Sequence, residues 1–434
     1  MPILFSDVTV VPMDGAPQVL EHAYVAVEGT KIASVGTEPP EGTFDRVVDG
    51  AGKVLLPGFV SAHTHLPMTL MRGYGGGCDL HTWLNQYIFP AEARLDSRAV
   101  AAGAGLGLAE MIASGVTCVA DMYMHTGTIA EQILEAGISA NLSCGGVYFG
   151  APEDFSPETC GDCRNQAALT EEWHGAGAGQ ILVDASVHGE YTSNPPLWRW
   201  MAEYAAEHRL GMHVHVSETQ SEHQASLERW GKTPIQALDG CGVWDCGRSL
   251  AAHCVYTTEE DWALMAEKGI SCVHNPWSNL KLGSGVAPIP AMMRAGVNVA
   301  LGTDGMSSHN SADLFSDIKL AAVLHNGVER DPMAVNAWAA LEMATVNGAR
   351  ALGRDTGVIA PGKTADLILV DLSAPNLIPC HDPVEDLVFS AHGSNVEMNM
   401  ARGQVIYEKG SFLTLDLERV RWEVEHYALP LIFG

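Results

Sequence analysis

Two histidines one residue apart, His63 and His65, stand where the apolar run of GFVSAHTHLPMTLMRG ends. In a strand of period two both rings project from one face and Thr64 from the other, the placement that two ligands of a single metal ion require. Imidazoles recur near the C-terminal ends of later strand-like runs, at His188, His213, His215, His253 and His274, and Asp304 ends the last run. A strand buried on both sides has little use for imidazole. Gathered in one pocket, these residues offer a His/His/His/Asp donor set suited to a divalent ion of the zinc or iron type. Such an ion lowers the pKa of a bound water towards about 7 and supplies hydroxide at neutral pH. A second ion would need a bridging group such as a carbon-dioxide-modified lysine. None occurs between Lys53 and Lys232, so the first five strands cannot supply one and a single ion is expected.

The elements that must hold these groups are legible as alternating apolar runs and helical stretches. Eight runs read as strands: 58–63, 115–121, 138–144, 181–188, 211–217, 249–254, 269–275 and 297–304. Between them lie helical segments such as DSRAVAAGAGLGLAEMIAS, PLWRWMAEYAAEHR and TEEDWALMAEKG. Eight parallel βα units close a barrel whose strand ends converge on one face, so the α/β fold class expected is a (β/α)8 TIM-type barrel over 57–357. Residues 1–56 read as short strands and tight turns, and 358–434 return to that texture. The two ends are expected to build one small β-sandwich domain together. A doubly wound open sheet is the architectural alternative.

Composition narrows the function classes. The 52 acidic against 24 basic side chains give a formal charge of -28, which repels phosphate backbones and anionic membrane surfaces, so neither nucleic acid nor membrane is an expected partner. The first residues lack a basic leader pattern, and no run of about 18 apolar residues occurs, so a soluble cytoplasmic protein is expected. Cys160 and Cys163 form a CxxC without a second pair and read as a loop feature. Whether copies associate into a homo-oligomer is left open.

The blocks PGFVSAHTHLPMTLMRG, HVHVSETQSE, AHCVYTTEED, HNPWSNLKLGSGVAPIP, LGTDGMSSHNSADLF and GVIAPGKTADLILVD resemble the amidohydrolase superfamily over nearly the whole chain. They resemble most its branch of 5'-methylthioadenosine and S-adenosylhomocysteine deaminases, which also holds triazine chlorohydrolase-like enzymes. The resemblance implies that His63, His65, His215 and Asp304 are the metal ligands, His215 being chosen over His213 by its H-x-x-E spacing to Glu218, with His213 in support. It further implies that His253 lies near the bound hydroxide and that His188 contacts the heterocycle. Glu92 would bind ribose hydroxyls, with Trp83 as an apolar wall beside it.

The chemistry expected of that set is hydrolytic deamination of a 6-aminopurine nucleoside, such as methylthioadenosine, S-adenosylhomocysteine, adenosine or 5'-deoxyadenosine. Asp304 would take a proton from water, Glu218 would protonate a ring nitrogen, and His253 would hold the nucleophile. One divalent ion, with zinc ahead of iron, is the cofactor expected. Hydrolysis of another N-heterocycle (guanine, pterin or triazine) is the alternative, and a non-catalytic scaffold a third reading. Two departures bear on the substrate. Relatives place an arginine near the end of the third strand, where this chain has Cys144; Arg164 follows and could compensate, but it reads first as a surface arginine. His309 and Trp277 replace smaller or amide residues and are expected to alter the pocket's shape.

Overall fold

The computed structural model describes residues 2–434. Eight parallel strands form the barrel: Phe59–His65, Val116–Met122, Ser139–Ser143, a fourth in two pieces (Ile181–Val183 and Ala185–Gly189), Met212–Val216, Ser249–His253, Ile270–His274, and an eighth in two pieces (Val299–Leu301 and Asp304–Gly305). Hydrogen bonding divides them into two five-stranded parallel sheets, each holding one piece of the fourth strand and one of the eighth. The breaks at Asp184 and at Gly302–Thr303 therefore join the two sheets into one closed ring.

Alternation decides which side chains fill that ring. Val60, Ala62, Cys118, Ala120, Leu250, Val273 and Ala300 share one cluster inside it, while Phe59 turns outward and meets Phe315 edge-on, ring centroids 4.8 Å apart. Val60 and His63 cannot both face the interior under unbroken alternation. The first strand resolves this by slipping its pairing with the second between Ser61 and Thr64, so that one extra residue re-aims the strand's end, as bulges do.

The helices form where the sequence signals them. Ser97–Ala113 is capped by Asp96, whose carboxylate accepts from the Ala99 amide. Glu259–Lys268 begins with a capping box between Thr258 and Asp261 and stops at Gly269 with φ 67°, a left-handed end that glycine adopts without a Cβ clash.

Both chain ends contribute to one further sheet of nine strands. Lys53–Pro57 from the first part runs antiparallel to Leu367–Asp371 from the last, and Phe5, Val25, Leu55, Leu369 and Met398 share an apolar cluster. Residues 417–433 are helical, and Arg98 of the long helix after the first barrel strand pairs with Glu423 and lies 4.0 Å over the Tyr427 ring.

Candidate metal centre and active-site cavity

At the C-terminal mouth of the barrel the Nε2 atoms of His63 and His65 lie 3.3 and 3.2 Å from Asp304 Oδ1. The Nε2 of His215 is 3.3 Å from that of His65. Ligand atoms of His63, His65 and Asp304 all fall within 4.8 Å of one another, as do those of His63, His215 and His253. His63 Nε2 is buried and has no hydrogen-bond partner, an orphan of the kind a metal ion satisfies.

The other ring nitrogens are tied off. His65 Nδ1 meets the Met122 carbonyl, His215 Nδ1 the His188 carbonyl at 2.6 Å, and His63 Nδ1 the Nε2 of His213 at 2.9 Å. Fixing Nδ1 leaves Nε2 aimed at the shared point, the arrangement by which outer groups orient metal-binding imidazoles. His213 is thus the partner of His63. Asp304 divides its oxygens in the same way: Oδ1 faces the histidines, and Oδ2 accepts from the hydroxyls of Ser278 at 2.6 Å and Ser308 at 2.8 Å. A divalent ion fits this donor set, with His63, His65, His215 and Asp304 able to hold it.

Three polar groups reach the site through left-handed backbone. Asp304 has φ 57°, His253 φ 74°, and Ser217, just before Glu218, φ 50°. Each such conformation costs a non-glycine residue on the order of 1 kcal/mol and persists where the surroundings over-determine it. For His253 the twist matters, because alternation alone would turn it away with Ala251. Asn279 Oδ1 accepts from His253 Nδ1 at 2.8 Å, which leaves Nε2 facing Glu218 Oε2 at 3.8 Å.

Glu218 is buried, and burial raises its pKa, opposed by His253. Its position is set by Glu222, whose two carboxylate oxygens accept from the amides of Ser217 at 2.8 Å and Glu218 at 2.7 Å. His188 donates from Nδ1 to Thr192 Oγ1 at 3.1 Å, since that hydroxyl itself donates to the Gly189 carbonyl. Its Nε2 is therefore an acceptor, and burial lowers the ring's pKa to about 4 and keeps it neutral. Across the mouth, Glu92 accepts from the Tyr123 hydroxyl at 2.6 Å.

These groups open on one cavity of about 410 Å³. Its lining includes His65, Trp83, Glu92, Tyr123, His188, His215, Glu218, His253 and Asp304. Two expectations need correction. His274 does not join the site: alternation places Val273 inside the ring, so His274 points out to helix Leu314–Glu329, its Nε2 3.0 Å from that of His325. Arg164 is exposed, bonds the Glu158 carbonyl and lies outside the lining, a surface arginine as its sequence context suggests. His309 and Trp277 do not shape the cavity either; His309 is held by Asp317 at 2.9 Å behind it, and Trp277 packs against His309.

Several working residues escaped the sequence reading. Glu222 could have been found from the Thr219-x-x-Glu222 spacing of a capping box, in which the Thr219 hydroxyl accepts from the Glu222 amide. Tyr123 lies one residue past its strand. Ser278, Ser308 and Asn279 carry no spacing signal, because their roles depend on loops folding back over Asp304 and His253.

A parallel eight-stranded barrel with imidazoles and an aspartate at its C-terminal mouth is the architecture of a metal-dependent barrel hydrolase. Residues 54–406 match the model of the amidohydrolase family, and the chain belongs to that family. A 5-methylthioadenosine/S-adenosylhomocysteine deaminase of Caldanaerobacter subterraneus subsp. tengcongensis is 41% identical over 436 residues, covering 100% of this chain and 99% of that protein. A 5'-deoxyadenosine deaminase of Methanothermobacter thermautotrophicus is 40% identical over 412 residues, 95% of each chain. Among solved structures, an adenosine deaminase from Xanthomonas campestris with bound zinc superposes with a TM-score of 0.92 at 32% identity, covering 99% of this chain and 98% of the other.

Proposed function

We propose that this chain is a hydrolase that deaminates 6-aminopurine nucleosides with the help of one divalent ion, zinc or iron, held by His63, His65, His215 and Asp304. The carrying observation is the placement of two buried carboxylates on one cavity: Glu218 beside the His/Asp cluster and Glu92 beside Tyr123. The first suits proton transfer at a ring. The second suits sugar hydroxyls, which a free base or a triazine lacks. The relatives' names as deaminases of adenosine-type nucleosides support the same reading.

When bound, the ion supplies a water whose pKa is lowered towards about 7. The chain's own residues do the rest. Asp304 accepts the proton that water gives up, with Oδ2 kept in place by the Ser278 and Ser308 hydroxyls. His253 Nε2 accepts a hydrogen bond from the attacking oxygen and orients it. Glu218, whose pKa burial raises, protonates the ring nitrogen next to the amino-bearing carbon as the oxygen adds to that carbon. The carbon–nitrogen bond then breaks: ammonia leaves with the proton passed on from Asp304, the added oxygen gives its remaining proton back to the Glu218 carboxylate, and a ring carbonyl remains. His188, neutral with Nε2 as acceptor, borders the ring. Trp83 and Glu92 border the sugar. Residues 57–357 carry this machinery, with 1–56 and 358–434 as the flanking unit.

The experiment is Glu218→Gln. Ammonia release from 5'-deoxyadenosine is expected to fall by about 10²–10⁴-fold with bound metal unchanged. Turnover near that of the unaltered protein, with metal still bound, would remove Glu218 as the proton donor.

A further inference from the structure

The deaminase reading places the ring over the first, fifth, sixth and eighth strands, where His65, His215, Glu218, His253 and Asp304 stand, and the sugar against Glu92 and Tyr123. Beyond an apolar stretch of Leu80, Leu84, Ile88 and Phe89, one part of the cavity wall carries a carboxylate with no role yet and is left for whatever the nucleoside carries at its 5' carbon. It is the wall that follows the third strand, formed by Cys144, Gly145, Val147 and Asp162 with Met124 and Phe149 at its edge. Met124, Cys144 and Asp162 also line an adjoining hollow of about 500 Å³, so this wall has room behind it for a longer substituent.

The charge on this wall is of one sign. Neither hollow is lined by a lysine or an arginine, whereas Glu92, Asp162, Glu218 and Asp304 line the first and Glu172 joins Asp162 in the second. The other carboxylates of the main cavity have assigned partners: Asp304 the histidines, Glu218 His253, Glu92 the Tyr123 hydroxyl. Asp162 is held by the Val147 amide, which donates to Oδ2 at 2.8 Å. No lysine or arginine lines either hollow to meet an arriving anion, so one placed beside the Asp162 carboxylate would meet an uncompensated like charge.

We propose that Asp162 determines specificity at the 5' end of the substrate, so that this subsite takes neutral or cationic 5' substituents and disfavours those ending in a carboxylate. The proposal rests on the deaminase reading for the orientation of the nucleoside. It also ranks zwitterions. An α-amino acid end could pair its ammonium with Asp162, yet its carboxylate, fixed to the same carbon, would then lie beside Asp162 with no cation to meet it.

The test compares kcat/KM for ammonia release from 5'-deoxyadenosine derivatives bearing a methylthio, an aminopropylthio or a carboxyethylthio group. The expected order is aminopropylthio at or above methylthio, with carboxyethylthio about tenfold or more below. In Asp162→Asn, which keeps an acceptor for the Val147 amide, the ratio of carboxylate to amine substrate is expected to rise about tenfold. Equal kcat/KM for the amine and carboxylate compounds in the unaltered protein would overturn the proposal, whatever the variant does. Calorimetric titration with the same compounds reads the subsite apart from chemistry. Binding that follows the expected order without ammonia release would sink the deaminase reading alone, and binding indifferent to charge would sink this one.

Discussion

At the scale of single residues, the site depends on buried groups whose protonation burial controls. The same holds outside it at His325, which faces His274 behind the seventh strand. Burial lowers the His325 pKa from 6.5 to about 4. The folded state thus resists a proton that the unfolded chain accepts. The stability this contributes is complete above pH 6.5 and is lost as the pH falls from 6.5 towards 4, at up to about 1.4 kcal/mol per pH unit. Urea unfolding across that range should show His325→Gln flattening the acid limb; an unchanged limb would mean the ring does not titrate on unfolding. The sequence offered no warning that His274 belonged to this pair, because a histidine at a strand end looks the same whether it faces the mouth or the helices.

At the scale of elements, the turn from the fifth strand into helix Gln220–Trp230 decides where Glu218 points. Glu222, in the helix's first turn, accepts from both amides of that turn and reaches back over it. Glu222→Ala should leave these amides unpaired, costing about 2 kcal/mol of stability and lowering kcat about tenfold by misplacing Glu218, with bound metal retained. Unfolding curves and steady-state rates check the two effects separately, and loss of stability with kcat intact would make Glu222 purely structural. The fold at this scale was largely readable, since eight apolar runs, their helices and their caps follow local rules. Less of the site was. Alternation brings His213 and His215 into the mouth, but His63 needs a slipped register, and His253 and Asp304 need left-handed backbone that no local pattern announces.

At the scale of the whole molecule, the barrel closes only because its fourth and eighth strands break and bridge two sheets, and the eighth break is where Asp304 enters the mouth. Among the described residues, no helix is long and apolar enough to cross a membrane. The central claim is that this mouth performs metal-dependent deamination of adenosine-type nucleosides with a single ion. The most direct measurement follows ammonia release from methylthioadenosine, adenosine and 5'-deoxyadenosine, against guanine, a pterin and a triazine, while metal-free protein is titrated with zinc or ferrous ion. Rates are expected with the nucleosides alone, rising in proportion to bound metal and levelling off at one ion per chain. Release that is indifferent to metal, or that occurs only with the free heterocycles, would contradict that claim.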